Sequence, residues 1–266
     1  MSEITDARGT RIDYVVEGEG PPALLLHGAY STRDEVLPVF GPLLAARGMR
    51  GVYPDLPGMG ASTPSSAAST DDVLDAIDAL IAAEIGDERF VVFGHSFGAF
   101  LARGVAARHP HRVAGLALLS PFAVEFEPAP ERVAEDDGGT GEVDEEVRGD
   151  YTGYFVVRTA ETRRIFEQRV RPSLGRYDGD VVDRVMTAST RTPDPDAVPF
   201  DGPVVVLLGR DDAFIGWRAQ QRLGEIHPRA TVVLADGAGH ALMHERPALV
   251  RAALDDWLDR VAASGS

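Results

Sequence analysis

Arg89-Phe90-Val91-Val92-Phe93-Gly94-His95-Ser96-Phe97-Gly98-Ala99-Phe100 is the stretch on which the architecture turns. The short apolar run 89–93 stops at a glycine, and a helical pattern over 99–108 follows, ending before Pro110, which cannot continue a helix. Between them, Gly94-His95-Ser96-Phe97-Gly98 fits Gly-x-Ser-x-Gly, a pattern that acquires meaning between a strand and a helix. A turn that sharp presses the backbone at Ser96 against its neighbours, so small residues are needed two positions to either side. The hydroxyl then projects above the sheet edge, and the helix aims its first amides, including that of Phe97, at the place where an oxyanion would form.

Outward from this unit, strands and helices alternate. Residues 12–16, 23–26 and 50–53 are apolar runs bounded by Gly and Pro, the pattern of strands buried on both faces. Thr70, Asp71 and Asp72 start a helix, because a hydroxyl and early carboxylates complement its free amides, and Val73, Ile77, Leu80 and Ile81 follow at helical spacing. Further on, 113–119, 204–208 and 231–234 read as strands and 217–226 as a helix. Leu249, Val250, Ala253, Leu254, Trp257, Leu258 and Val261 form the stripe of a last helix that packs on the sheet.

The alternation breaks once. Residues 125–150 are rich in Glu, Asp, Gly and Pro, with Glu135-Asp136-Asp137-Gly138-Gly139 at their centre, which predicts a mobile stretch with too little apolar surface to offset its ordering entropy. Helical patterns resume over 151–170 and 178–187, and Pro193, Pro195, Pro199 and Pro203 mark the return. The expected class is therefore α/β: a doubly wound, mostly parallel sheet from residues 1–120 and 204–266, with a helical cap inserted over 121–203. Ser264-Gly265-Ser266 reads as a frayed tail.

Composition removes several chemistries. The chain has 266 residues, no Cys, and 26 basic side chains that are all Arg, so disulfides, thiolate metal sites, cysteine nucleophiles and lysine Schiff bases are excluded. Asn is absent too, and with it N-glycosylation acceptors; the lack of Lys and Asn beside abundant Ala, Arg, Gly and Asp suggests a GC-rich bacterial genome. A formal charge of -16 without a basic patch argues against nucleic-acid or anionic-membrane partners. No apolar run reaches the roughly 18 to 20 residues of a spanning helix. The first residues lack a signal-peptide pattern, so a cytoplasmic protein, monomer or homodimer, is expected.

A serine hydroxyl needs a base. Among seven His, His240 in Asp236-Gly237-Ala238-Gly239-His240 lies just past the carboxyl end of the last strand, the edge where parallel sheets gather ligands. His95 points elsewhere around the turn and packs. His240 and His244 share a His-x-x-x-His spacing, but Ala241 stands where a metalloprotease glutamate would be, so no metal is assigned. The imidazole needs an acid to fix its tautomer, and Gly209-Arg210-Asp211-Asp212 closes a strand on the same edge. Asp212 is the choice, with Asp211 the alternative. The neutral imidazole this requires predicts activity rising through one titration near the ordinary value of about 6.5.

Serine, acid and imidazole in the chain order Ser96, Asp212, His240 resemble the α/β-hydrolase family, as does His27-Gly28-Ala29-Tyr30 after its strand. The resemblance implies that Ala29 supplies the second oxyanion amide beside that of Phe97, and that the cap follows the strand after the nucleophile helix. It also narrows the chemistry: Ser96 stands where dehalogenases and epoxide hydrolases of this fold carry Asp, and the Asn of carbon–carbon hydrolases and the Gly-Gly-Gly segment of some lipases are missing. What it implies is a serine hydrolase, without cofactor, cleaving an ester, lactone or thioester of a small, largely apolar substrate. Aminopeptidase, acyltransferase or perhydrolase chemistry on the same three residues, or slow-turnover ligand binding, stand as alternatives. Tyr30, Phe122, Tyr151, Tyr154, Phe155, Trp217 and Leu242 are candidates to line an apolar pocket, and the acidic stretch before Tyr151 would discourage anionic acyl chains.

Overall fold

The computed structural model describes residues 2–122, 127–195, 197 and 199–264. Glu125 and Phe126 of the acidic stretch, and Gly265 and Ser266 of the tail, lie outside them. Its strands are β1 (Ser2–Thr5), β2 (Arg11–Glu17), β3 (Pro22–Leu26), β4 (Arg50–Pro54), β5 (Phe90–His95), β6 (Val113–Leu119), β7 (Glu135–Asp136), β8 (Val157–Arg158), β9 (Val204–Gly209) and β10 (Ala230–Ala235). Eight of them form one sheet in the order β1-β2-β4-β3-β5-β6-β9-β10, and β7 pairs with β8 separately. The β1–β2 and β2–β4 pairs are antiparallel, and β4, β3, β5, β6, β9 and β10 run parallel to one another.

Period-two alternation divides the central strands between two cores. Leu24, Leu26 and Val92 face one, with Leu74, Ile77 and Leu80 of α2 (Thr70–Glu84) and Phe100 and Leu101 after the serine. Ala23, Leu25, Val91 and Phe93 face the other, with Val36 and Phe40 of α1 (Arg33–Ala46) and Leu254 and Trp257 of the last helix. A parallel sheet covered on both faces needs such near-continuous apolar strands. Register brings the strand ends level: Leu26 pairs with Gly94, His95 with Leu119, Leu119 with Leu207, and Gly209 with Ala235. The loops that follow β3, β5, β9 and β10 therefore leave from one edge.

Among the described residues the remaining α-helices are α3 (Phe97–Arg108), α4 (Arg148–Tyr154), α5 (Ala160–Ile165), α6 (Gly179–Thr187), α7 (Arg218–Gln221), α8 (Leu223–Ile226), α9 (Leu242–Glu245) and α10 (Pro247–Ser264). None is long and apolar enough to cross a membrane, among the described residues. Two expected helices are broken: 217–226 divides at Arg222, and 151–170 is interrupted by β8 before Thr159 and Thr162 cap each other and restart the chain as α5. The acidic stretch is also less featureless than its composition suggests. Asp137 accepts hydrogen bonds from the Gly139 and Ala160 amides at 2.9 and 2.7 Å and from Arg163 at 2.6 Å, so arginine and backbone donors of α5 hold part of it in place.

Candidate active site

Ser96 sits between β5 and α3 at φ 52° and ψ -118°, a backbone conformation that costs a non-glycine residue on the order of 1–3 kcal/mol. Surrounding hydrogen bonds impose it. The Ser96 amide donates to Leu119 O at 2.9 Å, and its carbonyl accepts from Ala99, Phe100 and Phe122 at 3.0, 3.2 and 3.0 Å. The flanking glycines are obligatory for the reason expected from sequence. A Cβ on Gly94 would lie 2.4 Å from Gly98 O, and one on Gly98 would lie 2.1 Å from Leu26 O.

At the end of β3, His27 is fully buried and bridges two backbones: Nδ1 donates to Gly28 O at 2.7 Å while Nε2 accepts from the Leu56 amide at 2.9 Å. Burial lowers its pKa and suits the neutral ring this needs. His27 thus fixes the Gly28-Ala29 turn beside the serine, where a Cβ on Gly28 would come within 3.3 Å of Ser96 Cβ. Among the described residues, the amides of Ala29 and Phe97 donate to no protein acceptor. Two unengaged donors flanking a serine are what stabilisation of an oxyanion requires.

Asp212 and His240 approach from β9 and β10. His240 Nδ1 lies 2.8 Å from Asp212 Oδ2, and Asp212 Oδ1 accepts from the amides of Phe214 and Ile215, both at 3.0 Å. Asp211, the alternative acid, instead lies 3.3 Å from the half-exposed Arg132. Gly239 is held by Glu245, whose Oε2 accepts its amide at 2.7 Å while Oε1 accepts the amides of Val156 and Val157 at 2.7 and 3.0 Å. One buried carboxylate therefore ties the His240 loop to the segment between β6 and β9. Burial alone would lower the His240 pKa, but the charge and hydrogen bond of Asp212 outweigh it, and the net shift is upward.

Ser96 and His240 line one cavity of about 660 Å³. No hydrogen bond joins their side chains among the described residues, the looser arrangement common before substrate binds. Of the candidate lining residues, Tyr30, Phe122 and Tyr154 border the cavity. Tyr151, Phe155, Trp217 and Leu242 do not. Tyr151 and Phe155 are fully buried in a small core with Phe166, Leu242 packs beneath the sheet with Met243, and the Trp217 ring lies under the guanidinium groups of Arg210 and Arg218. Tyr177, Phe214 and Glu35 border the cavity without having been singled out from the sequence.

Glu35 is the least expected of these. It is 3% exposed and accepts from Tyr154 Oη at 2.6 Å and from the Ser31 hydroxyl, with His244 Nε2 at 3.2 Å. Burial would raise its pKa, yet the His244 hydrogen bond and neighbouring imidazoles prevail and hold it below the usual carboxylate range. His244 therefore turns toward Glu35. His95, whose pKa burial lowers to about 4, lies with Nε2 3.2 Å from the His240 carbonyl.

The Alpha/beta hydrolase family matches residues 23–253. The chain belongs to that family. This alpha/beta hydrolase is 25% identical, at a TM-score of 0.89, to a solved alpha/beta superfamily hydrolase from Oenococcus oeni, covering 98% of this chain and 100% of that one. A thermophilic esterase from Thermogutta terrifontis shares the fold at a TM-score of 0.74 and 24% identity, over 98% of both chains. Among curated proteins, a 2-hydroxymuconate semialdehyde hydrolase from Pseudomonas putida is 32% identical over 126 residues, 45% of this chain and 43% of that one. Epoxide hydrolase A from Mycobacterium tuberculosis (strain ATCC 25618 / H37Rv) is 26% identical with 96% of each chain covered. The alpha/beta hydrolase spans less than half the length of the first curated relatives it matches, 32–44%.

Proposed function

We propose that this alpha/beta hydrolase is a serine hydrolase that cleaves a carboxylic ester, or the related lactone or thioester, of a small, largely apolar substrate. The observation that carries the reading is a strained serine beside two amides that donate to no acceptor among the described residues, sharing a cavity with an imidazole held by a buried carboxylate. Ser96 Oγ attacks the acyl carbon as His240 takes its proton. The amides of Ala29 and Phe97 hold the oxyanion, each worth on the order of 3 kcal/mol at the barrier. Collapse expels the alcohol, which receives the proton from His240. Water, deprotonated by His240, then attacks the acyl-enzyme; the acid leaves and Ser96 recovers its proton.

The epoxide hydrolase relative favours a different reaction at this position, but the chemistry of Ser96 opposes it. A serine opening an epoxide would form an ether, which offers water no carbonyl to attack, whereas a carboxylate nucleophile forms an ester that water can cleave. The ester reading needs no cofactor and no nucleic-acid or membrane partner, and takes a monomer or homodimer working in the cytoplasm. A residue-by-residue test is available. A fluorophosphonate probe should label Ser96, identified by peptide mass spectrometry, and p-nitrophenyl esters of rising chain length should be turned over until the cavity is filled. Folded protein that leaves Ser96 unlabelled and every ester intact would end the reading.

The His240 environment sets the pH dependence. The base must be neutral, and a raised pKa means that activity is lost as pH falls through a value above the ordinary 6.5 or so. We expect kcat/KM for a neutral ester to rise along a single acid limb displaced upward from that value, correcting the unperturbed titration expected from sequence. A limb centred below about 6 would contradict the Asp212 interaction as its cause.

A further inference from the structure

Among the described residues, the cavity beside Ser96 has no arginine in its lining, in a chain whose 26 basic side chains are all arginine. It has carboxylates instead: Glu35, buried, and Asp150, exposed. Two of its tyrosines also have carboxylates behind them. Tyr154 Oη donates to Glu35 at 2.6 Å, and Tyr30 Oη donates to Asp183. Burial and these partners push both phenols up, Tyr30 to about 12, so both remain donors at neutral pH. A phenol bonded to a carboxylate has an electron-rich ring, and ring faces attract cations through their quadrupole. Tyr177 stands edge-on to Tyr30 at 5.1 Å, and Phe214 lies 6.4 Å from Tyr154, which adds further ring surface. An anionic group entering this cavity would meet no arginine among the described residues, while the -16 net charge of the chain draws cations toward it.

We propose that the cavity selects esters whose non-reacting portion carries a positive charge, an amine or quaternary ammonium group, seated against the carboxylate-backed rings of Tyr30 and Tyr154. The inference rests on the ester-hydrolase reading for its reaction but not for its binding.

Three p-nitrophenyl esters of matched length test it: a trimethylammonio-butanoate, its tert-butyl isostere and a hemiglutarate. At low ionic strength kcat/KM should favour the cation over the isostere by about tenfold and over the anion by about a hundredfold, with both ratios shrinking as salt is added. Asp183→Asn, which keeps the Tyr30 ring and removes the charge behind it, should reduce the cation-to-isostere ratio about threefold. An isostere cleaved as well as the cation, or an anion cleaved best, overturns the inference and leaves the hydrolase reading intact. If none of the three is cleaved, calorimetry with choline and its uncharged carbon analogue decides. Choline bound about tenfold more tightly would uphold the inference while the hydrolase reading falls; equal binding would overturn it.

Discussion

Asp212→Asn should lower kcat for the best p-nitrophenyl ester by about 10⁴-fold, the loss seen when the acid behind a catalytic imidazole becomes an amide and the wrong tautomer is held. Asp211→Asn should cost less than about tenfold. The contrast follows from where the two neighbouring carboxylates go. Asp212 is 1% exposed and spends its oxygens on His240 Nδ1 and on the amides of Phe214 and Ile215, whereas Asp211 meets the half-exposed Arg132. The residual activity of Asp212→Asn should also move in pH. With the carboxylate gone, burial is opposed only by the charges of Glu35 and Glu245, and the His240 pKa should fall from its raised position. Equal losses in the two variants, measured side by side, would remove Asp212 from the mechanism.

Ser96→Gly should abolish turnover, by about 10⁶-fold in kcat, and at the same time make the protein more stable. The side chain makes no hydrogen bond among the described residues, so its removal leaves no buried partner stranded. What it relieves is the backbone at φ 52°, which glycine adopts freely. Net of the extra flexibility of an unfolded glycine, we expect a gain of about 1 kcal/mol, or about 2–4 °C in Tm, by calorimetry. Ser96→Ala, which keeps the strain, should lose the same activity with Tm within about 2 °C of the parent. A glycine variant that melts earlier than the alanine variant would show that the turn is not strained.

The strand-turn-helix around Ser96 could be read from sequence because every local requirement pointed the same way: an apolar run, glycines where backbones collide, and a helix ended before proline. His240 and Asp212 were legible through their places after strands. Helix α1 was not. It contains Pro38 and Pro42, each of which deletes a ladder hydrogen bond, and it forms because burial of Val36, Phe40, Leu43 and Leu44 outweighs that local cost. β1 is short, antiparallel and mostly exposed, with little apolar pattern to announce it.

The cavity was the least legible part. Tyr151 and Tyr154 are three residues apart on α4, yet one fills a small core with Phe155 and Phe166 and the other faces His240. Composition alone does not say which side of a helix opens on a void. Glu35 carries no signal either, since a glutamate beside Asp34 reads as solvent-facing until Tyr154, Ser31 and His244 are seen to surround it. Phe214 was nearer to hand: it follows Asp212 by two residues, on a loop that leaves the chemically active edge of the sheet.

The place where the inserted segment joins the sheet has a consequence for changing what this protein accepts. β6 and β9 are hydrogen-bonded neighbours, with Leu119 beside Leu207, so the chain departs and re-enters at one seam. Grafting a different excursion there would keep the ladder while replacing Tyr154 and Tyr177, but it would also remove Ala129, whose amide donates to the Asp212 carbonyl at 2.9 Å. The Glu245 carboxylate sets the condition for success: a graft must offer it two amides in place of those of Val156 and Val157, or the loop carrying His240 loses its mooring.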